Sequence, residues 1–297
     1  MATLKALRIR IGSVSSSEKI TGAMKMISSA KVHKNEMELR RLLPFRNQVK
    51  SIMGHLLATN MEFASPLITE REVRKVALVV FGSDDGLCGA YNINIFKYLL
   101  QVVARIKSSY NREIEFTIIP IGKKMFNAVK KMSVQGYKVE TFEGVDSKMA
   151  SGKVNDFTGK LQEDFLSGKY DHVEVVYMRF VSRSKQIPES ETLLPVSRKA
   201  IEGEMADHKP DNKFYLFEPD PNAIFNAVLP MFVLSTMQEI TIENRASEQA
   251  ARVMAMQSAN DNAKKLLEEL QLEYNKLRQQ AITTELLDII GGQTGKE

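Results

Sequence analysis

The feature that most constrains this chain is the segment from Met231 to Ile290, which contains neither glycine nor proline and is followed by Gly291 and Gly292. Both residue types disfavour helix interiors, and glycine commonly follows a last helical turn, so the segment predicts one long helix that ends there. At ~1.5 Å per residue such a helix extends about 90 Å, far more than an ordinary globular helix. Two core helices joined by an unmarked bend are the alternative, but the absence of a helix breaker favours the single helix.

Apolar side chains in this segment recur with the heptad spacing of a coiled coil. The seam consists of Ala246, Ala250, Val253, Ala263, Leu267, Leu270, Tyr274, Leu277 and Ala281. This rhythm calls for a partner helix, and the alanines allow a close approach. Gln257 and Asn260 stand at seam-like positions, so we expect them to weaken the middle of the coil.

The partner is expected in residues 4–55, the other long helical pattern of the chain. Its seam is interpreted as Leu4, Leu7, Ile11 and Val14 and, after a slip at serines 15–17, as Ala23, Ile27, Ala30 and Met37, with Lys34 intruding. Pro44 is expected to kink this helix or end its straight part. Helices from opposite chain ends can pair antiparallel only if the intervening residues return the chain to its start.

The intervening residues alternate between strand and helix patterns. Strands are expected at 75–81, 115–121, 137–142, 172–181, 187–196 and 214–217, and helices from about 95 to 106, up to 132, and at 155–166. This alternation predicts an α/β layer with a largely parallel sheet. Residues 203–210 are polar and predict a loop. Asp220 is expected to cap the long helix, with Pro221 in its first turn.

Composition and charge favour a soluble protein with an acidic partner. The chain has no uninterrupted apolar run of about 18 residues, so no membrane-spanning helix is expected, and its start lacks the apolar core of a secretory signal. The single cysteine, Cys88, excludes an intrachain disulfide and suits a reducing compartment. Residues 1–50 hold eleven Lys or Arg against three Glu, although the whole chain carries a net charge of only +5. Such a basic rod predicts binding to nucleic acid, an anionic membrane or an acidic protein surface.

The glycine-rich turn at residues 82–89 is the strongest candidate for chemistry. It lies between a strand and a helix, where nucleotide enzymes bind phosphate. The spacing is not that of a dinucleotide or P-loop motif, and Asp84 and Asp85 would repel phosphate, so a structural turn is favoured. Cys88 is interpreted as a small buried residue, since no local base activates it. The four histidines are scattered, and we expect no catalytic residue, no metal site and no cofactor.

Three segments resemble the ATP synthase gamma subunit family. The N-terminal helix is LKALRIRIGSVSSSEKITGAMKMISSAKVHK (4–34), the internal turn is GSDDGLCGAYNINIFK (82–97), and the C-terminal signature is SEQAARVMAMQSANDNAKKLLEELQLEYNKLRQQAITTELLDIIGG (247–292). They occur in family order and at family spacing, so the resemblance covers essentially the whole chain. Gly22 stands where lysine is usual, Asp85 where arginine is usual, and the tip at 293–297 is unusually polar.

The resemblance implies a non-catalytic rotor. It implies an α/β protein with a long antiparallel coiled coil, divided into an N-terminal coil helix (1–58), a Rossmann-like α/β foot domain (73–219) and a C-terminal coil helix (220–291). One copy would turn inside a hexamer of alpha and beta subunits, with the foot on the epsilon subunit and the c-ring. Ion flow through the ring would drive rotation and so ATP synthesis or hydrolysis on beta. The complex would lie at the cytoplasmic face of a bacterial inner membrane, and the chain would touch membrane only through it.

Contact residues are carried over from the same resemblance. The expected contacts with beta are Met24, Cys88, Arg278, Gln279, Thr283 and Glu285, and those with the c-ring or epsilon are Met205, His208 and Lys209. By composition alone, the polar cluster near residue 279 is ordinary solvated surface. Two other classes stay open at this point. A coiled-coil nucleic-acid protein would bind DNA with a steep salt dependence, and an α/β enzyme would bind a ligand at the turn.

Overall fold

The computed structural model describes residues 3–57, 63–110, 113–197 and 216–293. The helices are α1 (Leu4–Leu57), α2 (Tyr91–Ser109), α3 (Lys123–Val129) with a 3-10 helix (Lys130–Gln135), α4 (Ser151–Leu166) and α5 (Pro221–Gln293). The strands are β1 (Lys75–Phe81), β2 (Glu115–Ile121), β3 (Lys138–Val139), β4 (His172–Phe180) and β5 (Gln186–Leu194). The α/β fold class with long terminal helices is therefore confirmed.

The long C-terminal helix is a single element, as the lack of breakers from Met231 to Ile290 predicts, and it also runs through Pro230. The carboxylate of Asp220 accepts a hydrogen bond from the N–H of Ala223 at 2.9 Å, so the predicted cap is present. The predicted stop at Gly291 is wrong, because α5 continues to Gln293. One glycine costs only about 1 kcal/mol in a helix, which disfavours the helix there without ending it. α1 also continues through Pro44 to Leu57, so Pro44 does not end this helix, and a kink there stays a prediction.

The sheet has five strands in the order β3-β2-β1-β4-β5. The first four are parallel, and β5 pairs antiparallel with β4. The predicted strand at 137–142 shrinks to Lys138–Val139, because this edge strand pairs with β2 at only two positions. Leu216 and Phe217 form no strand, and residues 214–215 and the predicted loop at 203–210 lie outside the described residues.

Both faces of the sheet are buried, which explains the continuous apolar run of β1. Ala77, Val79 and Phe81 contribute to the core that contains α4 and parts of α1 and α5. Their neighbours Val76, Leu78 and Val80 face the core formed with α2. Alternating side chains of one strand therefore reach both cores, as expected for a central parallel strand.

The chain divides into two compact units whose boundary falls inside both long helices. One unit comprises Met1–Ser29 with Arg252–Glu297, and the other comprises Ala30–Ala251. The second unit thus holds the sheet together with the adjoining parts of α1 and α5. The three segments predicted from the sequence follow the ends of helices and strands instead, and they stay a prediction.

The predicted seam of α1 is right in its first part and wrong in its second. Leu7 is buried, but Ala23, Ile27, Ala30 and Met37 are exposed, Ile27 to 56%. Ser28, Val32 and Asn35 are buried in their place. Half-buried Glu18, Thr21 and Lys25 form contacts with α5 that an apolar pattern does not reveal. On α5 the seam is packed from Ala263 to Leu277, whereas Ala281 is exposed.

Candidate functional site

The turn at residues 82–92 is held together by hydrogen bonds among its own residues. Oδ1 of Asn92 accepts from the backbone N–H of Ser83 at 3.0 Å, and Nδ2 of Asn92 donates to Oγ of Ser83 at 2.8 Å. The same Nδ2 donates to Sγ of Cys88 at 3.5 Å, and Cys88 is buried. Asn92 lies in the first turn of α2, so it ties the loop to the helix that follows.

The carboxylate of Asp84 is already occupied by protein donors. Its Oδ1 accepts from the N–H of Lys123 at 2.9 Å, and its Oδ2 accepts from the N–H and the hydroxyl of Ser147 at 3.2 and 2.7 Å. A β-carbon on Gly82 would lie 2.5 Å from Cβ of Met125, so this position requires glycine. These contacts support a structural turn over a phosphate-binding loop.

Asp85, the acidic departure in this turn, has a basic partner. Nζ of Lys148 donates to Oδ2 of Asp85 at 2.7 Å, and the hydrogen bond raises the pKa of Lys148. Both side chains are more than half exposed, 58% and 61%. Exposed pairs of this kind contribute only about 0–1 kcal/mol, so the pair balances local charge more than it stabilises the fold.

A polar layer crosses the coil in the unit formed by the two chain ends. Nδ2 of Asn260 donates to the carbonyl of Glu18 at 2.7 Å and to Oγ1 of Thr21 at 3.3 Å. Nζ of Lys25 donates to Oε1 of Gln257 at 2.7 Å. As the residue numbers on α1 rise from 18 to 25, those of their partners on α5 fall from 260 to 257, so the two helices are antiparallel here. Gln257 and Asn260 do interrupt the apolar seam, but hydrogen bonds across the coil compensate for that interruption.

Ion pairs join the helices again within the second unit. The pairs are Arg46–Glu239 and Arg245–Glu38 between α1 and α5, and Arg183–Glu36 between the β4–β5 turn and α1. The guanidinium of Arg183 binds both carboxylate oxygens of Glu36, at 2.9 and 3.3 Å. This hydrogen bonding lowers the pKa of Glu36. The antiparallel pairing of α1 with α5 therefore holds in this unit too.

Glu174 on β4 is a buried carboxylate that keeps its charge. Burial favours its neutral form, but hydrogen bonds from His172 and Ser190 and the charge of Arg105 outweigh it, so the pKa of Glu174 is lowered. Nη2 of Arg105 contacts Glu174 and lies 3.3 Å from Oγ of Ser190. This cluster ties α2 to β4 and β5.

Glu243 on α5 has a raised pKa, in contrast to Glu174. Burial raises its pKa to about 7, and the negative charge of Glu189 adds to the shift. The charges of Arg179 and Arg46 and a hydrogen bond from the backbone N–H of Phe180 oppose it without cancelling it. Glu243 was not predicted as a site residue from the sequence. The weak signal was that Ile240, Ile242 and Ala246 surround Glu243, although Thr241, Asn244 and Arg245 stand among them.

Within the described ranges, no group of three or more His, Cys, Asp or Glu is placed to hold a metal ion. Pro221–Leu287 of α5 is long and apolar enough to cross a membrane by length and composition alone. In its most apolar stretch, 44% is buried inside the protein. Core helices of soluble proteins have the same length and composition, so these two properties are weak evidence that α5 spans a membrane.

Comparison with known proteins decides the family. A sequence profile of the family described as ATP synthase matches residues 3–295. The ATP synthase gamma chain of Parabacteroides distasonis is 39% identical over 293 residues, covering 98% of this chain and 98% of that protein. The gamma chain of Bacteroides thetaiotaomicron is 38% identical over 299 residues, covering 98% and 99%. This chain belongs to the ATP synthase gamma chain family.

Solved structures agree with the gamma chain fold. The rotor of the Euglena gracilis mitochondrial ATP synthase in rotational state 1 superposes with a TM-score of 0.59 at 20% identity, over 94% of this chain and 98% of that one. A chain of the Euglena OSCP/F1/c-ring assembly in rotational state 3 gives 0.64 at 23% identity, over 98% and 94%. As a gamma chain, the protein is a rotor subunit of ATP synthase and not its catalytic subunit, so both predictions are confirmed.

The gamma chain contacts predicted from the sequence have different surroundings. Met24 on α1 is half-buried and Cys88 is buried, whereas Arg278, Gln279, Thr283 and Glu285 on α5 are exposed. Oγ1 of Thr283 donates to the carbonyl of Gln279 at 2.9 Å, one turn earlier. Met205, His208 and Lys209 lie outside the described residues. The roles of all these residues as contacts with other subunits stay predictions.

Proposed function

We propose that this gamma chain transmits rotation between a ring of c subunits in the membrane and a catalytic head of alpha and beta subunits. The observation that carries the proposal is the antiparallel pairing of α1 with α5, two long helices from opposite ends of the chain. Hydrogen bonds and ion pairs join them in both compact units. An α-helix makes its backbone hydrogen bonds within itself, so two paired helices suit a shaft that must rotate without unfolding.

The head side of the proposal rests on the charge of α1. The exposed basic residues in its first 41 positions are Lys5, Arg8, Arg10, Lys19, Lys31, Lys34, Arg40 and Arg41. Exposed ion pairs are weak, at about 0–1 kcal/mol, so an acidic surface on beta can be gripped and released in each turn. We assign Met24 and the cluster Arg278, Gln279, Thr283 and Glu285 to contacts with beta. At the turn that contains Cys88, exposed Leu87 presents the apolar surface for such a contact.

The membrane side is proposed from the family relationship. Met205, His208 and Lys209 are assigned to contacts with the c-ring or epsilon subunit, with one gamma chain per complex. The complex would lie at the cytoplasmic face of the bacterial inner membrane, and the chain would touch membrane only through it. Neither a cofactor nor nucleic acid is needed for this function, and the driving ion is a proton or sodium.

Co-expression with the alpha and beta subunits of the same organism tests this function. A tagged chain should purify in a stable complex that contains one gamma chain and hydrolyses ATP. The chain purified alone should not hydrolyse ATP. Failure to form the complex would contradict the proposal. So would ATP hydrolysis by the isolated chain that is lost when Asp84 of the turn is changed to alanine.

A further inference from the structure

Asn244 on α5 binds two different elements of the α/β layer with one side chain. Its Oδ1 accepts a hydrogen bond from the hydroxyl of Tyr91, in α2, at 2.7 Å, and another from the backbone N–H of Met178, in β4, at 3.2 Å. The backbone carbonyl of Asn244 lies 3.1 Å from the same tyrosine hydroxyl. Asn244 is 0% exposed, so no water competes for these bonds.

α5 is also attached to the layer by apolar packing. The α5 residues in the core shared with α4 and α1, on the sheet face opposite α2, are Phe225, Leu229, Phe232, Val233, Met237 and Ile240. Apolar burial resists separation, but it is non-directional, so it opposes sliding or rotation of a helix against the sheet less strongly. Hydrogen bonds weaken steeply when their angle changes. Asn244 follows the last of these core residues by one helical turn and adds the directional contact that they lack.

The far end of this contact is itself held in place. Tyr91 follows the glycine-rich turn directly and is the first residue of α2. Asn92 beside it binds Ser83 and Cys88 within that turn. Met178 lies in the middle of the pairing between β4 and β5. A force on the α/β layer therefore reaches Asn244 through two rigid elements.

We propose that Asn244 is the positioning residue that fixes the rotational setting of α5 on the α/β layer, so that torque passes between them through Tyr91 and Met178. The proposal rests on the rotary function given above and names the joint within the chain that such a function requires. It also gives the turn at residues 82–92 a role without a ligand, since the turn sets the position of Tyr91.

Replacement of Tyr91 by phenylalanine removes the hydroxyl and keeps the ring. The matched control is Tyr170→Phe, because Tyr170 is equally buried and its hydroxyl donates to Glu140 at 2.8 Å, away from α5. Both variants lose one tyrosine hydroxyl hydrogen bond, which is buried at Tyr91 and part-buried at Tyr170. A purely structural role predicts some loss of thermal stability in each variant and equal coupling in both. Each is assembled with the complete ATP synthase in vesicles, and ATP-driven ion pumping is measured per ATP hydrolysed.

The proposed joint predicts that Tyr91→Phe loses pumping per ATP hydrolysed while Tyr170→Phe retains it. Rotor stiffness is measured from the angular fluctuations of a probe on the α/β layer while the head is immobilised. It should fall in Tyr91→Phe and not in Tyr170→Phe. Asn244→Leu removes the acceptor for both donors and should lower stiffness at least as far. Equal coupling and equal stiffness in Tyr91→Phe and Tyr170→Phe would contradict the proposed role of Asn244 and Tyr91. A wild-type chain that fails to assemble or couple would instead overturn the rotary function itself.

Discussion

A β-carbon added to Gly22 on α1 would lie 3.3 Å from Nδ2 of Asn260 on α5. That distance is tighter than ordinary van der Waals contact, so the glycine leaves room for the amide. Asn260 uses this room to donate to the carbonyl of Glu18. The missing side chain at position 22 and the polar residue at position 260 are therefore complementary features of one layer of the coil.

Gly22→Ala should therefore stabilise the chain less than Gly12→Ala. Alanine favours a helix over glycine by about 0.5–1 kcal/mol at either position. A β-carbon at Gly12 meets nothing within 4 Å, whereas at Gly22 the amide of Asn260 must shift. Urea denaturation of the two variants and the wild type gives the comparison. Equal gains would show that the close approach at Gly22 carries no energetic cost.

Glu243 should make stability depend on pH. Its pKa is raised from the ordinary value of 4.5 to about 7, so the folded state holds a proton that the unfolded state releases. The associated stability is fully present below pH 4.5 and is lost as pH rises through about 7. A shift of this size corresponds to about 3 kcal/mol.

Glu243→Gln tests this linkage, because glutamine cannot ionise. Denaturation between pH 4.5 and 8 should show a smaller loss of stability in this variant than in the wild type. Glu163→Gln, at a largely exposed position, serves as the control and should follow the wild-type curve. A Glu243→Gln curve parallel to that of the wild type would contradict the raised pKa.

The turn should protect the thiol of Cys88. Asn92→Ala removes the hydrogen bonds to Ser83 and Cys88, so we expect the thiol to react faster with a soluble disulfide reagent. Asn94→Ala alters an exposed side chain of the same helix and should leave the rate unchanged. Reaction rates are compared in the folded state, with the denatured chain as the upper limit. Fast reaction of the wild-type thiol would show that the turn opens readily.

Met24→Lys tests the proposed contact on α1. An added cation at a half-buried position should hold an acidic segment of beta for too long, so that assembly survives while ion pumping per ATP falls. Met26→Lys adds the same charge on the same helix, at a side chain that is 67% exposed, and should have the smaller effect. Equal coupling in both variants and the wild type would remove Met24 from the contact.

The polar cluster on α5 has an internal control. Gln279 and Thr283 repeat one residue later as Gln280 and Thr284, and each threonine hydroxyl donates to the carbonyl four residues before it at 2.9 Å. Alanine at both members of either pair should preserve the helix. Only the Gln279/Thr283 double variant should weaken assembly with the head or slow its ATPase, because hydrogen-bond partners on beta would be left unsatisfied. Wild-type assembly and a wild-type ATPase rate in that variant would show that the cluster is ordinary solvated surface.

Local patterns in the sequence were sufficient for most elements of the fold. The bounds of β1 and β2 were predicted to the residue, because short apolar runs flanked by polar residues indicate buried strands. The long α5 and its cap at Asp220 followed from missing helix breakers and from capping chemistry. The structural nature of the turn followed from its spacing, although its hydrogen-bond network did not.

The sequence alone determined most of the helices and strands and the family that the chain resembles, because periodicity, capping and motifs are local properties. Only the tertiary structure decided that the middle of α1 contacts α5 through Glu18, Thr21 and Lys25 and not through the predicted Ala23 and Ile27. That choice depends on hydrogen bonds to residues more than two hundred positions away. The pKa of Glu243 likewise depends on groups from α1, β4 and β5, which meet only in the folded chain.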